Sequence, residues 1–223
     1  EARRPLYQMW LDKKTKPTLI DNFKFFFSYQ INWMYWRYFM WNFAGRQNGE
    51  QGFYPWDKSS GNWLSGIGPL DNARLGTQAN IPDSLKANEA RNNYYLLPII
   101  FGIIGLFFQF FHRREDFLVL LVLFIITGIG IIVYSNQPPN EPRERDYVLV
   151  GSFFTFCIWI GMAVPGLYVY FKDKLSPKLS AIGAAALVII APLLMGFQNF
   201  DDNSRRHHTA ARDYASNFLH SVD

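Results

Sequence analysis

The chain has 223 residues, a net charge of +4 and a mean hydropathy of −0.05, yet 49% of it is hydrophobic and 18% aromatic. The charge forms no basic stripe, so nucleic acid is excluded as the expected partner. The single cysteine, Cys157, excludes an intrachain disulfide and a cysteine-based metal site, and inside an apolar block it reads as a small hydrophobe.

Residues 1–17 are charged and lack an apolar core, so they do not read as a signal peptide. The first residue is Glu1 rather than Met, and the expectation is a piece of a longer or processed product. The run from Phe23 to Arg46 comes next. Twelve of the 21 residues from Phe23 to Phe43 are Phe, Tyr or Trp. Aromatic bodies with polar tips suit the boundary between lipid and water. Wound at about 100° per residue, Lys24, Ser28, Asn32, Tyr35, Asn42 and Arg46 fall in one polar strip. Gln30 and Arg37 make a second polar spot on the other side. Two readings stay open for this helix (23–46): it lies in or against the membrane interface, or it is buried between other protein elements. Residues 47–92 are polar and broken by glycine, proline and asparagine, which predicts irregular extramembrane loop. Trp56 and Trp63 imply that this loop packs onto something.

Four apolar blocks follow, at 94–111, 117–134, 148–171 and 179–197, and none contains Asp, Glu, Lys or Arg. A bilayer crossing takes roughly 20 such residues. The fold class expected is therefore all-α: a polytopic helical membrane protein with four transmembrane helices, an aromatic interfacial helix and irregular outer-face loops. Residues 1–92 form the outer-face segment, 93–198 the bundle and 199–223 a charged tail that begins a helix. Pro98, Pro165 and Pro192 sit inside the spans, and the many glycines offer close-packing surfaces. The short loops 112–116 and 172–178 hold five Lys or Arg, against two in 135–147, so the first two are placed in the cytoplasm. The N-terminal segment, the 135–147 loop and the tail then share the outer face. No ionisable residue lies inside a span, which argues against a proton or ion pathway.

Two charged constellations flank the spans. Residues 136–147 read NQPPNEPRERDY, with stiffening prolines before Arg143, Glu144, Arg145 and Asp146. They make either a solvated turn with internal ion pairs or a site that forks guanidinium groups onto a phosphate or saccharide. Residues 198–213 read QNFDDNSRRHHTAARD. Asp201, Asp202, His207 and His208 offer carboxylate and imidazole, but their spacing matches no metal motif, and a divalent metal is the lesser reading. A helix start capped by Asn203 or Ser204 is favoured, carried on by Ala210, Ala211, Tyr214, Ala215 and Leu219. Both constellations fall on one side of the expected topology, where they could face each other.

Three runs together resemble a known family: NFKFFFSYQINWMYWRYFMWNFAGRQN, NQPPNEPRERDYVLVGSF and QNFDDNSRRHHTAARDYASNFL. They are similar to large multi-spanning envelope proteins of Bacteroidetes-type bacteria, described as protein O-mannosyltransferase-like with a GT-C-type membrane fold. The third run departs from the pattern, which has Trp where Phe200 stands. The resemblance implies transfer of a sugar from a polyprenyl-phosphate donor to a secreted protein acceptor at a bacterial inner membrane. It also places the termini on the periplasmic side and the catalytic carboxylate upstream of Glu1. On that basis Arg143 and Arg145 are expected to bind the phosphate. Trp33, Tyr35 and Trp41 would stack on a sugar or isoprenoid, and Asp146, Asp201 and Asp202 would position an acceptor hydroxyl or a metal. The competing expectation is a non-catalytic membrane scaffold in a larger membrane protein complex, docked through the aromatic run.

Overall fold

The computed structural model describes residues 4–11, 16–140, 146–203 and 209–221. Helix α1 (Arg4–Leu11) lies against the start of α2, a continuous helix over 19–43. Thr18 and Asp21 begin α2 with a reciprocal capping box, which satisfies two amides the first turn leaves open. The middle of α2, Phe26–Arg37, is wound as π-helix for twelve residues, where π turns are ordinarily single. The wider turn changes which residues share a face. Phe23, Phe27, Asn32 and Trp36 are exposed, at steps of four, five and four rather than the 3.6 of an α-helix. The polar strip drawn at α spacing therefore does not hold. Tyr35, expected on it, is 1% exposed and sits in the core.

The strand pair β1 (Gly45–Arg46) and β2 (Asn92–Asn93) is antiparallel and joins the end of α2 to the start of the bundle. Between the strands the chain is irregular, with short helices α3 (Gly68–Leu75) and α4 (Asp83–Lys86). Side-chain amides hold it: Gln47 donates to the Lys58 carbonyl, Asn48 to that of Ser59, and Asn62 to Gln47 Oε1. Asp71 is buried, and its carboxylate accepts from Ser65 N, Ser65 Oγ and Gly66 N at 2.8–2.9 Å. The packing implied by Trp63 is present, since the Arg74 guanidinium lies 3.4 Å over its ring.

The bundle is α5 (Leu97–His112), α6 (Arg114–Ser135), α7 (Asp146–Phe171) and α8 (Pro177–Asn203). Among the described residues, three helices are long and apolar enough to cross a membrane: 114–135, 147–171 and 177–200. The expected first span is shorter. Tyr95 and Leu96 take left-handed backbone angles (φ 53° and 59°), so the helix starts only at Leu97 and runs sixteen residues. That start puts Pro98 in the first turn, where its missing N–H is not needed. The turn between α5 and α6 is reduced to Arg113. The last helix continues six residues past the expected end at 197 and carries Asp201 and Asp202 on its backbone.

Helix α7 is central and packs on α5, α6 and α8. The α5–α7 contact is close enough that a Cβ on Gly105 would overlap the Trp159 carbonyl oxygen. Trp159 donates its Nε1–H to Gln109 Oε1 at 2.7 Å across this interface, which satisfies two buried polar groups at once. The aromatic half of α2 completes the core. Phe39 and Phe43 stand edge-on to Phe156 at 4.7 Å, a favoured arrangement for ring quadrupoles. The buried-helix reading of the aromatic run therefore describes one face of α2. In the tail, helix α9 (Ala210–His220) begins after Thr209, whose hydroxyl donates to Asp213 at 2.6 Å. Asn203 is not the cap expected there, because α8 still runs through it, and Ser204 lies outside the described residues.

Candidate functional site at the mouth of the bundle

The starts of α5 and α7 and the ends of α6 and α8 share one end of the bundle, here called the mouth. A pocket opens there between the middle of α2, the 51–53 loop and the adjoining ends of α6 and α7. Its polar lining includes Trp33, Arg37, Gln51, Gln137 and Asn140, and its apolar lining Met34, Ile132, Val148 and Leu149. Asn140 and Val148, which flank the arginine-bearing stretch in sequence, both line this pocket.

Local sequence explains how α2 is docked. Tyr29 donates its hydroxyl to the Pro138 carbonyl at 3.0 Å, and Gln30 donates to Asn136 Oδ1 at 2.9 Å. Trp33 Nε1 reaches the Gly52 carbonyl at 3.3 Å. Arg37 is 6% exposed; its Nε donates to the Trp33 carbonyl at 3.2 Å and its Nη1 to the Gly61 carbonyl at 2.8 Å. Its guanidinium also lies 4.8 Å from the Trp33 ring, where the ring's negative face attracts a cation. Burial pulls the Arg37 pKa down to about 10, which leaves it protonated at neutral pH. Gly61 must be glycine, because its φ is +66° and a Cβ would collide with the backbone of Gln51 and Gly52. The second polar spot seen in the sequence, Gln30 and Arg37, is thus the part of α2 that fastens it at the mouth.

The residues expected to form the site are scattered over the mouth and the core. Trp33 lines the pocket. Tyr35, two residues further on, is buried, and its hydroxyl shares a 2.7 Å hydrogen bond with Ser152 of α7. Trp41 is 8% exposed, with the Arg46 guanidinium 4.3 Å over its ring. Arg143 and Arg145 lie outside the described residues. Asp146, Asp201 and Asp202 are placed by their helical backbone alone, and their side chains also lie outside that description. Among the described residues no group of three or more His, Cys, Asp and Glu is arranged to hold a metal ion.

The last turns of α8 dock elsewhere on the mouth, at the far end of α2. Gln198 Oε1 accepts from Asn93 N, Asn199 Oδ1 from Asn92 Nδ2, and Asn199 Nδ2 donates to the Tyr94 hydroxyl. Helix α2 therefore has the pocket along its middle and the α8 seam at its end. Sequence reasoning missed Gln51, Gln137 and Asn140 as pocket residues. Polar residues in loops are common, and only the tertiary contact selects these.

No protein-family model, no curated protein and no solved structure matches this chain.

Proposed function

We propose that this chain is an integral-membrane part of a glycosyltransferase-like protein that moves a sugar from a polyprenyl-phosphate donor to a secreted or envelope protein. In this reading α5 is a fourth span, the membrane is a bacterial inner membrane, and the mouth faces the periplasm. The observation that carries it is the mouth pocket. Its lining combines a buried cation and amides with aliphatic side chains, and it includes Asn140 and Val148, which flank in sequence the stretch bearing Arg143 and Arg145. A lipid-linked sugar phosphate has the same division: a charged and hydroxylated head on an apolar chain.

In such a transfer the bond between the anomeric carbon and the phosphate oxygen breaks, and the phosphate leaves with the electron pair. The acceptor hydroxyl gives its proton to a carboxylate base as its oxygen bonds the anomeric carbon. Arg143 and Arg145 stabilise the developing phosphate charge, because preorganised guanidinium groups need no reorientation as it forms. The stacking role expected for Trp33, Tyr35 and Trp41 falls to Trp33, which lines the pocket while the other two are packed inside. Asp146, Asp201 and Asp202 are assigned to the acceptor side.

Glycoproteomics of envelope proteins tests this reading. Deleting the gene should remove O-linked hexose from many secreted proteins. The wild-type gene should restore it, and Arg143→Ala or Arg145→Ala copies that still insert should not. Full glycosylation with both variants would reject the assignment.

A further inference from the structure

One face of α2 is exposed among the described residues. Phe23, just before the π-wound stretch, and Phe27 and Trp36 within it are 57%, 60% and 48% exposed, with Asn32 exposed between the last two. Lys24 is exposed beside Phe23. The opposite face of the same helix is deeply engaged with the bundle, and those contacts fix its depth. Tyr29 and Gln30 bond to Pro138 and Asn136, just past the end of α6. Tyr35 packs on Gly128 and stands edge-on to Phe124. At a rise of 1.5 Å per residue, Gly128 lies about 10 Å and Phe124 about 16 Å below the α6 end at Ser135. Phe39 and Phe43 touch Phe156, about 15 Å below the start of α7 at Asp146. The rings of α2 therefore reach well into the half of the bundle nearest the mouth.

Helix α5 gives an independent reason for something to be there. Its sixteen residues rise about 24 Å, short of the ~30 Å of a hydrocarbon core. The far end of α5 joins the start of α6 through Arg113 alone, so its shortfall against α6 lies on the mouth side; there Gly102, about 8 Å from the α5 start, is level with Phe156, about 15 Å from the α7 start. The space above α5 is occupied by the Ala44–Tyr94 backbone contact and the aromatic end of α2. The bare face of α2 is also continuous in kind with the neighbouring spans, where Val122, Ile126, Val150 and Phe154 are exposed.

We infer that α2 is seated in the mouth-side leaflet of the bilayer, completing the wall that α5 leaves short, with Phe27 and Trp36 in contact with lipid. The inference rests on the proposed membrane reading. The helix descends obliquely: Tyr29 and Gln30 are anchored at the boundary, and Trp36 is deeper. The aromatic rings tolerate the interfacial zone, Lys24 marks the end nearer water, and its stem can follow the apolar surface while the ammonium stays hydrated. The bilayer, rather than a protein partner, is the occupant because depth, composition and the adjoining lipid-compatible faces all agree.

Site-directed spin labelling in nanodiscs of phosphatidylcholine and phosphatidylglycerol tests this. Native Cys157, exposed on α7 about 16 Å below Asp146, serves as the lipid reference. Single labels at Phe27→Cys, Trp36→Cys and, as the water reference, Leu85→Cys are placed in a Cys157→Ser background. The expected result is a ratio of oxygen to nickel-chelate accessibility at Trp36 close to that at Cys157, a lower ratio at Phe27, and the lowest at Leu85. A Trp36 ratio equal to that of Leu85 would put the face in water and overturn the inference. Exclusion of both relaxers from Trp36 would show that protein covers it, which also overturns it. A water-like ratio at Cys157 itself would instead reject the membrane reading on which it stands.

Discussion

Gly105→Ala should separate α5 from α7 and destabilise the bundle. The added methyl would overlap the Trp159 carbonyl oxygen and stand 2.8 Å from Ala163 N, where ordinary contact begins near 3.4 Å. Both obstacles are backbone, so neither can rotate away and the helices must part. Overpacking costs ~1–3 kcal/mol, and a backbone obstacle places this case at the upper end. Alanine regains ~1 kcal/mol of helix propensity, leaving a net loss of about 2 kcal/mol. That is about a 30-fold shift toward the unfolded state. The separation also strains the Gln109–Trp159 hydrogen bond, which bridges the same two helices. Reversible unfolding in mixed micelles, followed by tryptophan fluorescence, reads the change because Trp159 sits at the interface. Gly161→Ala is the control: nothing lies within 4 Å of its Cβ position, so it should be neutral or slightly stabilised. If Gly105→Ala is as stable as Gly161→Ala, the close backbone approach of α5 and α7 is refuted.

Arg37→Met should cost about 3 kcal/mol by leaving the buried Gly61 and Trp33 carbonyls without their donor, and faster limited proteolysis within 47–62 would report it. Asp71→Ala should cost a similar amount, because three donors that converge on one carboxylate lose it together; a thermal shift equal to wild type would contradict this. Hydrogen bonds from Ser59 and Ser60 hold the Asp57 carboxyl below its ordinary value of 3.8. Its folded pKa is thus depressed, so the stabilisation is complete above 3.8 and is lost as the pH falls through the lowered value. The protection of the Ser59 amide relative to its intrinsic exchange rate, held by its 2.8 Å bond to Asp57, should persist at neutral pH and fall only in acid, and Asp57→Asn should remove that dependence.

Composition and periodicity, which any reader of the sequence has in hand, determined the long helices. Extended blocks without a charge have few folds open to them, so helices at 117–134, 148–171 and 179–197 were legible to within a few residues. The punctuation of 47–92 likewise marked irregular chain, and Ala210, Ala211 and Tyr214 marked a terminal helix. The tertiary structure decided the rest. The depth of α5 depends on two left-handed residues, Tyr95 and Leu96, which neither glycine nor asparagine announces. The faces of α2 depend on its π winding, which turns Tyr35 from the polar strip into the core against Gly128. Helical wheels assume a period, and here packing against α6 and α7 accompanies a different one. The mouth pocket could not be read locally either, because Trp33, Gln51, Asn140 and Val148 come from four separate stretches of chain and meet only when α2 docks.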